Sequence, residues 1–333
     1  MNDLTDLPTG IEPGLRFAVV LDGRGGGREM NWQGVAAWRP EDGFLWIHLE
    51  RDTQPAATWM RNASGVDPIV ADALLAEDSR PRIEEFDEAL LLVMRGVNLA
   101  EKEEVELVPV HMWLDAHRAI TLRDKDHALS ALRDIRIALK AGRGPRTAGA
   151  LLVQIVEKII RDVEPILDRM DATLETLEDE LLSKASPQLR RTLADVRRQA
   201  IHLRRYLGPK REAISSPILQ ATPFLDARDG MRLRSVIDRI SRCIEDLDAF
   251  RDRATILYQD LAAKIQEGVA TSTYRFTIIA GLILPPSLIA AILGANIGGI
   301  PGQENQHAFL ELLAVIAFII GIQWLLLRRM KWV

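Results

Sequence analysis

The run FTIIAGLILPPSLIAAILGANIGGI, Phe276 to Ile300, decides the fold: it holds no charged residue, and the uncharged stretch continues to Gln303. It is long enough to cross a hydrocarbon layer of about 30 Å. A second run, FLELLAVIAFIIGIQWLLL from Phe309 to Leu327, is also of spanning length, with Glu311 near its first end and Gln323 and Trp324 near its last. Two adjacent runs of this kind predict two C-terminal transmembrane helices rather than two buried core helices. Lys264 and Arg275 precede the pair, Arg328, Arg329 and Lys331 follow it, and the link carries only Glu304 as a charge. The positive-inside rule then places both ends in the cytoplasm. The link from Ile297 to His307 is too short for a folded external domain.

Upstream, the first 123 residues alternate short apolar runs with turn residues: RFAVVLD, GFLWIHLE, EALLLVMRGVNL, LVPVHMWLD and AITLR predict strands, and Asp67-Pro68 opens a helix over IVADALLAED. Beyond Asp126 the strand signals stop. Ile155, Ile159, Val163, Ile166, Met170, Leu174, Leu177 and Leu181 then predict one long helix, kinked at Pro165, and a second helix runs antiparallel to it from Pro187 to about Ser215. A third stripe, Val236, Ile240, Ile244, Leu247, Phe250, Ala254, Leu257, Leu261, Ile265 and Val269, leads into the first membrane run with no breaker but Gly268. A single helix of roughly sixty residues is the expectation, rising about 1.5 Å per residue as a stalk. The fold class expected is an α/β cytoplasmic domain (1–125), a helical domain and stalk (126–271), a first transmembrane helix (272–296), an external loop (297–307), a second transmembrane helix (308–328) and a cytoplasmic tail (329–333).

The 333 residues carry a net charge of -5 with both signs mixed, which speaks against nucleic acid as a partner. Cys243 is the single cysteine, so neither an intrachain disulfide nor a multi-cysteine zinc site is possible. The opening MNDLTDLPTGIEP has no basic segment followed by an apolar one, and no cleaved secretory signal is expected.

Within the first membrane run, Thr273, Thr277, Ala280, Leu284, Ser287, Ala291 and Gly294 recur at steps of four and three and share one helix face. Such a face suits a pore lining, and it suits close helix packing equally. Pro286 and Pro285 lack amide hydrogens, so the carbonyls of Leu282 and Gly281 lose their helical partners, either as an ordinary kink or as a functional break. Asn296 falls where the helix should end. A ring of its amide oxygens could hold a hydrated divalent cation at a pore mouth formed with Gly294 and Ala295, and the plainer reading is a helix cap. His307 is the imidazole near the outer mouth, read either as a transient zinc ligand or as a solvated loop residue.

Other constellations carry less. Asp22-Gly-Arg-Gly-Gly-Gly27 has phosphate-loop composition but no following Lys-Ser/Thr, which favours a hairpin turn. His111, Asp115 and His117 alternate as strand-borne zinc ligands would, yet Asp115 to His117 reads as a turn. Cys243 is a lone thiol in a helix, and the acidic group Glu175, Glu178, Asp179 and Glu180 fits a solvated face as well as a cation-attracting mouth. No catalytic triad or paired carboxylates can be read, so an enzyme is not expected.

Gly294-Ala295-Asn296 at the end of the first of two C-terminal membrane runs resembles the Gly-x-Asn signature of the CorA superfamily of divalent-metal transporters. Leu21-Asp22-Gly23-Arg24-Gly25-Gly26, Trp46-Ile47-His48-Leu49, Glu77-Asp78-Ser79-Arg80-Pro81-Arg82, Gly298-Gly299-Ile300-Pro301-Gly302 and Lys331-Trp332 are similar to its ZntB zinc-transporter branch. The resemblance implies a funnel-shaped homopentamer in the cell inner membrane, with stalk helices continuing into five inner pore helices. It also implies zinc uptake, with coupling to a proton gradient. Zinc would be cargo rather than a prosthetic group. Magnesium channels of the family usually carry methionine where this chain has Ala295, which tilts the substrate toward zinc. An oxygen-only ring suits magnesium well, so a magnesium or cobalt channel is the alternative, and a two-helix membrane sensor is the alternative from another class.

Overall fold

The computed structural model describes residues 13–77, 80–98, 106–124, 129–183, 186–295 and 306–329. It divides into two compact units, Met1–Tyr258 and Gln259–Val333. The boundary expected near Asp126, the loop 297–305 and the tail beyond Arg329 lie outside the described residues.

Seven strands among the described residues of the first unit form one sheet: β1 (Leu15–Leu21), β2 (Gly27–Met30), β3 (Leu45–Glu50), β4 (Arg82–Phe86), β5 (Ala89–Asn98), β6 (Glu106–Leu114) and β7 (Arg118–Arg123). Their order is β2-β1-β3-β7-β6-β5-β4. Only β3 and β7 run parallel, with Ile47 opposite Ile120; the other neighbours are antiparallel. The expected strands are all present because each is buried on both faces. Leu45, Ile47, Leu49, Leu91, Val93 and Ile120 pack with the short helices α1 (Trp32–Ala37), α2 (Gln54–Asn62) and α3 (Pro68–Leu75), chiefly through Val35, Met60, Val70 and Leu74. A sheet covered on both sides reads as continuous apolar runs rather than an alternation.

The sequence reading misses β2 and β4. Both are polar edge strands, GREM largely exposed and RIEEF mostly half-buried, and each pairs on one side only. Charged side chains on a sheet edge discourage pairing with other chains, and they also erase the apolar signal by which a strand is recognised.

Several buried polar groups of the sheet and its covering helices are paired. Asp67 caps α3 through Ile69 N at 2.8 Å. At the other end of α3, Arg51 donates to the carbonyls of Leu75 and Ala76, and His111 Nδ1 donates to that of Leu74 at 2.7 Å. Donors from a cation suit the carbonyl end of a helix. His48 shares the Thr121 hydroxyl with the Trp46 indole N–H, and burial holds its pKa down at about 3, so it is neutral.

After the sheet come α4 (Ser130–Lys140), α5 (Ala148–Arg161), α6 (Glu164–Ser183), α7 (Pro187–Ile214), the short α8 (Pro217–Ala221) and α9 (Ala227–Leu293). The single kinked helix expected across Pro165 is two helices. Pro165 offers no N–H to Arg161, so α5 stops there and a turn at Asp162 and Val163 intervenes. The proline then sits in the first turn of α6, where no N–H is needed.

Helix α9 is continuous for 67 residues and belongs to both units. In its first half the buried face is Leu233, Val236, Ile240, Cys243, Leu247, Ala254 and Leu257. Ile244 and Phe250 are only half-buried. The stripe expected to run to Val269 is covered only as far as Leu261, and Ile265 and Val269 are exposed. Beside this face runs a parallel ion ladder. Arg232 pairs with Glu157, Arg239 with Glu164 and Arg253 with Glu178, at a constant separation of 75 residues. The rung between them has Asp246 where an arginine would be needed, and Arg253 reaches across to Asp171 at 3.2 Å instead. Glu178, read in the sequence either on a solvated face or at a cation-attracting mouth, is engaged by Arg253.

The ladder and the buried lysine of α7 can each be tested. Exposed ion pairs contribute about 0–1 kcal/mol each, so Arg253→Ala, which releases two carboxylates at once, should cost about 1 kcal/mol in low salt and much less in 1 M NaCl, read by thermal unfolding in detergent. Lys210 is buried, with Nζ donating to the Arg95 carbonyl at 2.7 Å, and burial pulls its pKa down to about 8. Between about pH 8 and the ordinary lysine value of about 10.4 the unfolded chain binds more protons than the native one, so this group's contribution to stability rises with pH across that window. Lys210→Met should be more stable than wild type at pH 7 by about 1–2 kcal/mol, allowing for the hydrogen bond lost. That advantage should vanish by about pH 10.5; a difference independent of pH contradicts the assignment.

Candidate ion pathway

The second unit contains the last part of α9 and helix α10 (Ala308–Arg329). Both are long and apolar enough to cross a membrane and both are almost wholly exposed in the single chain. The residues that do have cover form one stripe on each. On α9 they are Ile278, Leu282, Pro286, Ile289 and Ala290; on α10 they are Ala308, Leu312, Ile316, Ile319, Gln323 and Leu327. The two helices are joined where Gln323 Nε2 donates to the carbonyl of Gly281 at 3.2 Å. Gly281 is one of the two carbonyls that the proline pair deprives of a helical partner.

At about 100° per residue, the small and mildly polar stripe of α9 lies on the side opposite its covered residues. Thr273, Thr277, Ala280, Leu284, Ser287 and Ala291 are all exposed. The Thr277 hydroxyl donates back to the Thr273 carbonyl at 2.9 Å, which leaves its oxygen's lone pairs facing outward from the helix. The stripe therefore offers hydroxyl oxygens and small side chains on a face that the rest of the chain leaves open.

At the C-terminal end of α9, Gly294 N donates to Ala290 O at 2.8 Å and Ala295 N to Ile292 O at 3.4 Å, so the helix tightens to a three-residue step as it ends. A side chain at 294 would meet the Ala290 carbonyl at 2.9 Å, which is why glycine fits this turn. Asn296 lies outside the described residues, and so do Gly298 to Gly302 and Lys331-Trp332. His307 is exposed in the turn before α10, and its carbonyl accepts from Glu311 N at 3.1 Å.

The remaining candidates are accounted for structurally. The glycine-rich loop is the β1–β2 turn, and Asp22 Oδ1 takes up the amides of Arg24 and Gly26 at 2.7 and 2.9 Å, leaving those donors unavailable to a phosphate. Those bonds hold the Asp22 carboxyl below its ordinary pKa. His111 is buried against α3, and burial keeps its pKa low, whereas Asp115 ties the β6–β7 turn through His117 N, Arg118 and Trp113. They form no joint metal site, and no group of three metal-ligating side chains occurs among the described residues. Cys243 is buried in the α9 stripe and burial raises its pKa, the reverse of what a reactive thiolate needs. In the motif Glu77 to Arg82, Asp78 and Ser79 lie outside the described residues.

A sheet domain, a helix of 67 residues and two apolar C-terminal helices with an open small-residue face are the makings of a membrane transport subunit. The family model described as CorA-like Mg2+ transporter protein matches residues 41–329, and the chain belongs to that family, which is one of transporters and not of enzymes. A divalent cation transporter CmaX from Pseudomonas aeruginosa is 34% identical over 333 residues, covering 97% of this chain and 98% of the relative. The zinc transport protein ZntB of Pectobacterium carotovorum is 31% identical over 322 residues, 96% of each chain. The structure of full-length CmaX superposes with a TM-score of 0.82 at 32% identity, over 97% of this chain and 100% of the other.

Proposed function

We propose that this chain transports divalent cations, zinc in preference to magnesium or cobalt, through the central pore of a homopentamer in the cell inner membrane, with both termini cytoplasmic. The observation that carries the reading is the stripe from Thr273 to Ala291, exposed on the side of α9 opposite its covered residues. When several copies turn that face toward a common axis, small side chains and hydroxyl oxygens line a passage while Ile278, Leu282 and Ile289 stay on the outside. Gly294, Ala295 and Asn296 form the mouth. A hydrated cation is held there by neutral oxygens, which avoids placing a charge in the bilayer.

Zinc is favoured by the ZntB relative and by Ala295 in place of methionine. The magnesium reading is favoured by the oxygen-only donor set, since zinc more often takes nitrogen or sulfur. Glu311, in the first turn of α10, is the acidic residue nearest the outer mouth among the described residues, and coupling to a proton gradient would have to pass near it or run through water.

Uptake of Zn2+ and Mg2+ into proteoliposomes, with a pH gradient set in each direction, tests the proposal. Zinc should enter, at a rate that responds to the gradient, and Asn296→Ala should lower the rate at least about tenfold. Movement of magnesium alone would overturn the choice of metal, and movement of neither would overturn transport.

A further inference from the structure

We propose that Gln323 is a positioning residue of the ion pathway: its side-chain amide replaces the helical N–H that Pro285 lacks and so fixes the proline break of α9 to α10. The proposal rests on the transport reading above. The carbonyl of Gly281 would bond to the amide of residue 285, which is proline. Hydrocarbon provides no water to take that amide's place, and a bare carbonyl there is costly. Gln323 Nε2 donates to it at 3.2 Å from 42 residues away.

The orientation of the amide is fixed by chemistry, because a carbonyl only accepts and must be met by the NH2 group. Oε1 is then left buried with no partner among the described residues. Gln323 also interrupts an otherwise apolar stripe of Leu312, Ile316, Ile319 and Leu327. An aliphatic side chain there would pack without stranding a polar atom, so the stripe gives up apolar contact for this one bond. Leu284 and Ser287, on the open face, flank the two prolines within the same turn. Whatever anchors the Gly281 carbonyl therefore sets where those two side chains stand along the passage.

A double-mutant cycle of Gln323→Met, of similar length but without the amide, and Pro285→Ala, which restores the N–H to Gly281, tests this. Zn2+ and Mg2+ uptake in proteoliposomes and the thermal unfolding midpoint in detergent are read on all four proteins. With Pro285 in place, Gln323→Met should lower uptake about three- to tenfold, the span of membrane hydrogen-bond strengths, and should lower the midpoint. On the Pro285→Ala background it should change neither, and if Pro285→Ala alone abolishes uptake the midpoints decide. Equal losses in both backgrounds, as simple packing would give, overturn the role of Gln323 while leaving transport intact. A wild-type protein that moves neither ion overturns the transport reading, and the role of Gln323 with it.

Discussion

Helix α9 has to satisfy two solvents along one unbroken backbone from Ala227 to Leu293. In its first half, water is available to any exposed carbonyl, and the requirement is to bury an apolar face, met by Leu233 to Leu257 against the helices before it. In its last part every carbonyl must be bonded within the protein, because hydrocarbon supplies no donors. Two adjacent prolines breach that rule, at Gly281 and Leu282, and the breach at Gly281 is closed from α10. A helix that satisfied the rule everywhere would need no second helix at that depth.

The same constraint sorts the faces of α9. The side that carries Ile278, Leu282, Pro286 and Ile289 is covered, and the opposite side is left with threonine, alanine, serine and the single bulky Leu284. A face of small residues is poor at burying area against lipid and good at approaching either another helix or a column of water. In an assembly around an axis it does both. Membership of the CorA family gives this arrangement its context, and the relatives named for divalent cations and for zinc give it its candidate cargo.

Much of this was legible in the sequence. Period-three-and-four stripes and uncharged runs mark α5, α6, α9 and α10, and strands covered on both faces announce themselves as apolar blocks. The orphaned Gly281 carbonyl was legible too, since proline's missing N–H is a property of the residue. What was not legible depends on partners far along the chain. Edge strands β2 and β4 are polar because they are edges, and only the sheet order reveals them. Pro165 reads as a kink until the burial of Val163 and the turn beside it show a full break. Gln323 looks like one polar residue near the end of an apolar run, and its partner lies 42 residues away.

The measurement that bears most directly on the pathway is a cysteine scan from Thr273 to Ala291 in a Cys243→Ser protein, probed with a small charged thiol reagent in proteoliposomes. Cysteines at 273, 277, 280, 284, 287 and 291 should react from water and block uptake, while those at 278, 282 and 289 should not. Reaction confined to the second set, or reaction without periodicity, would contradict a passage lined by the small-residue face of α9.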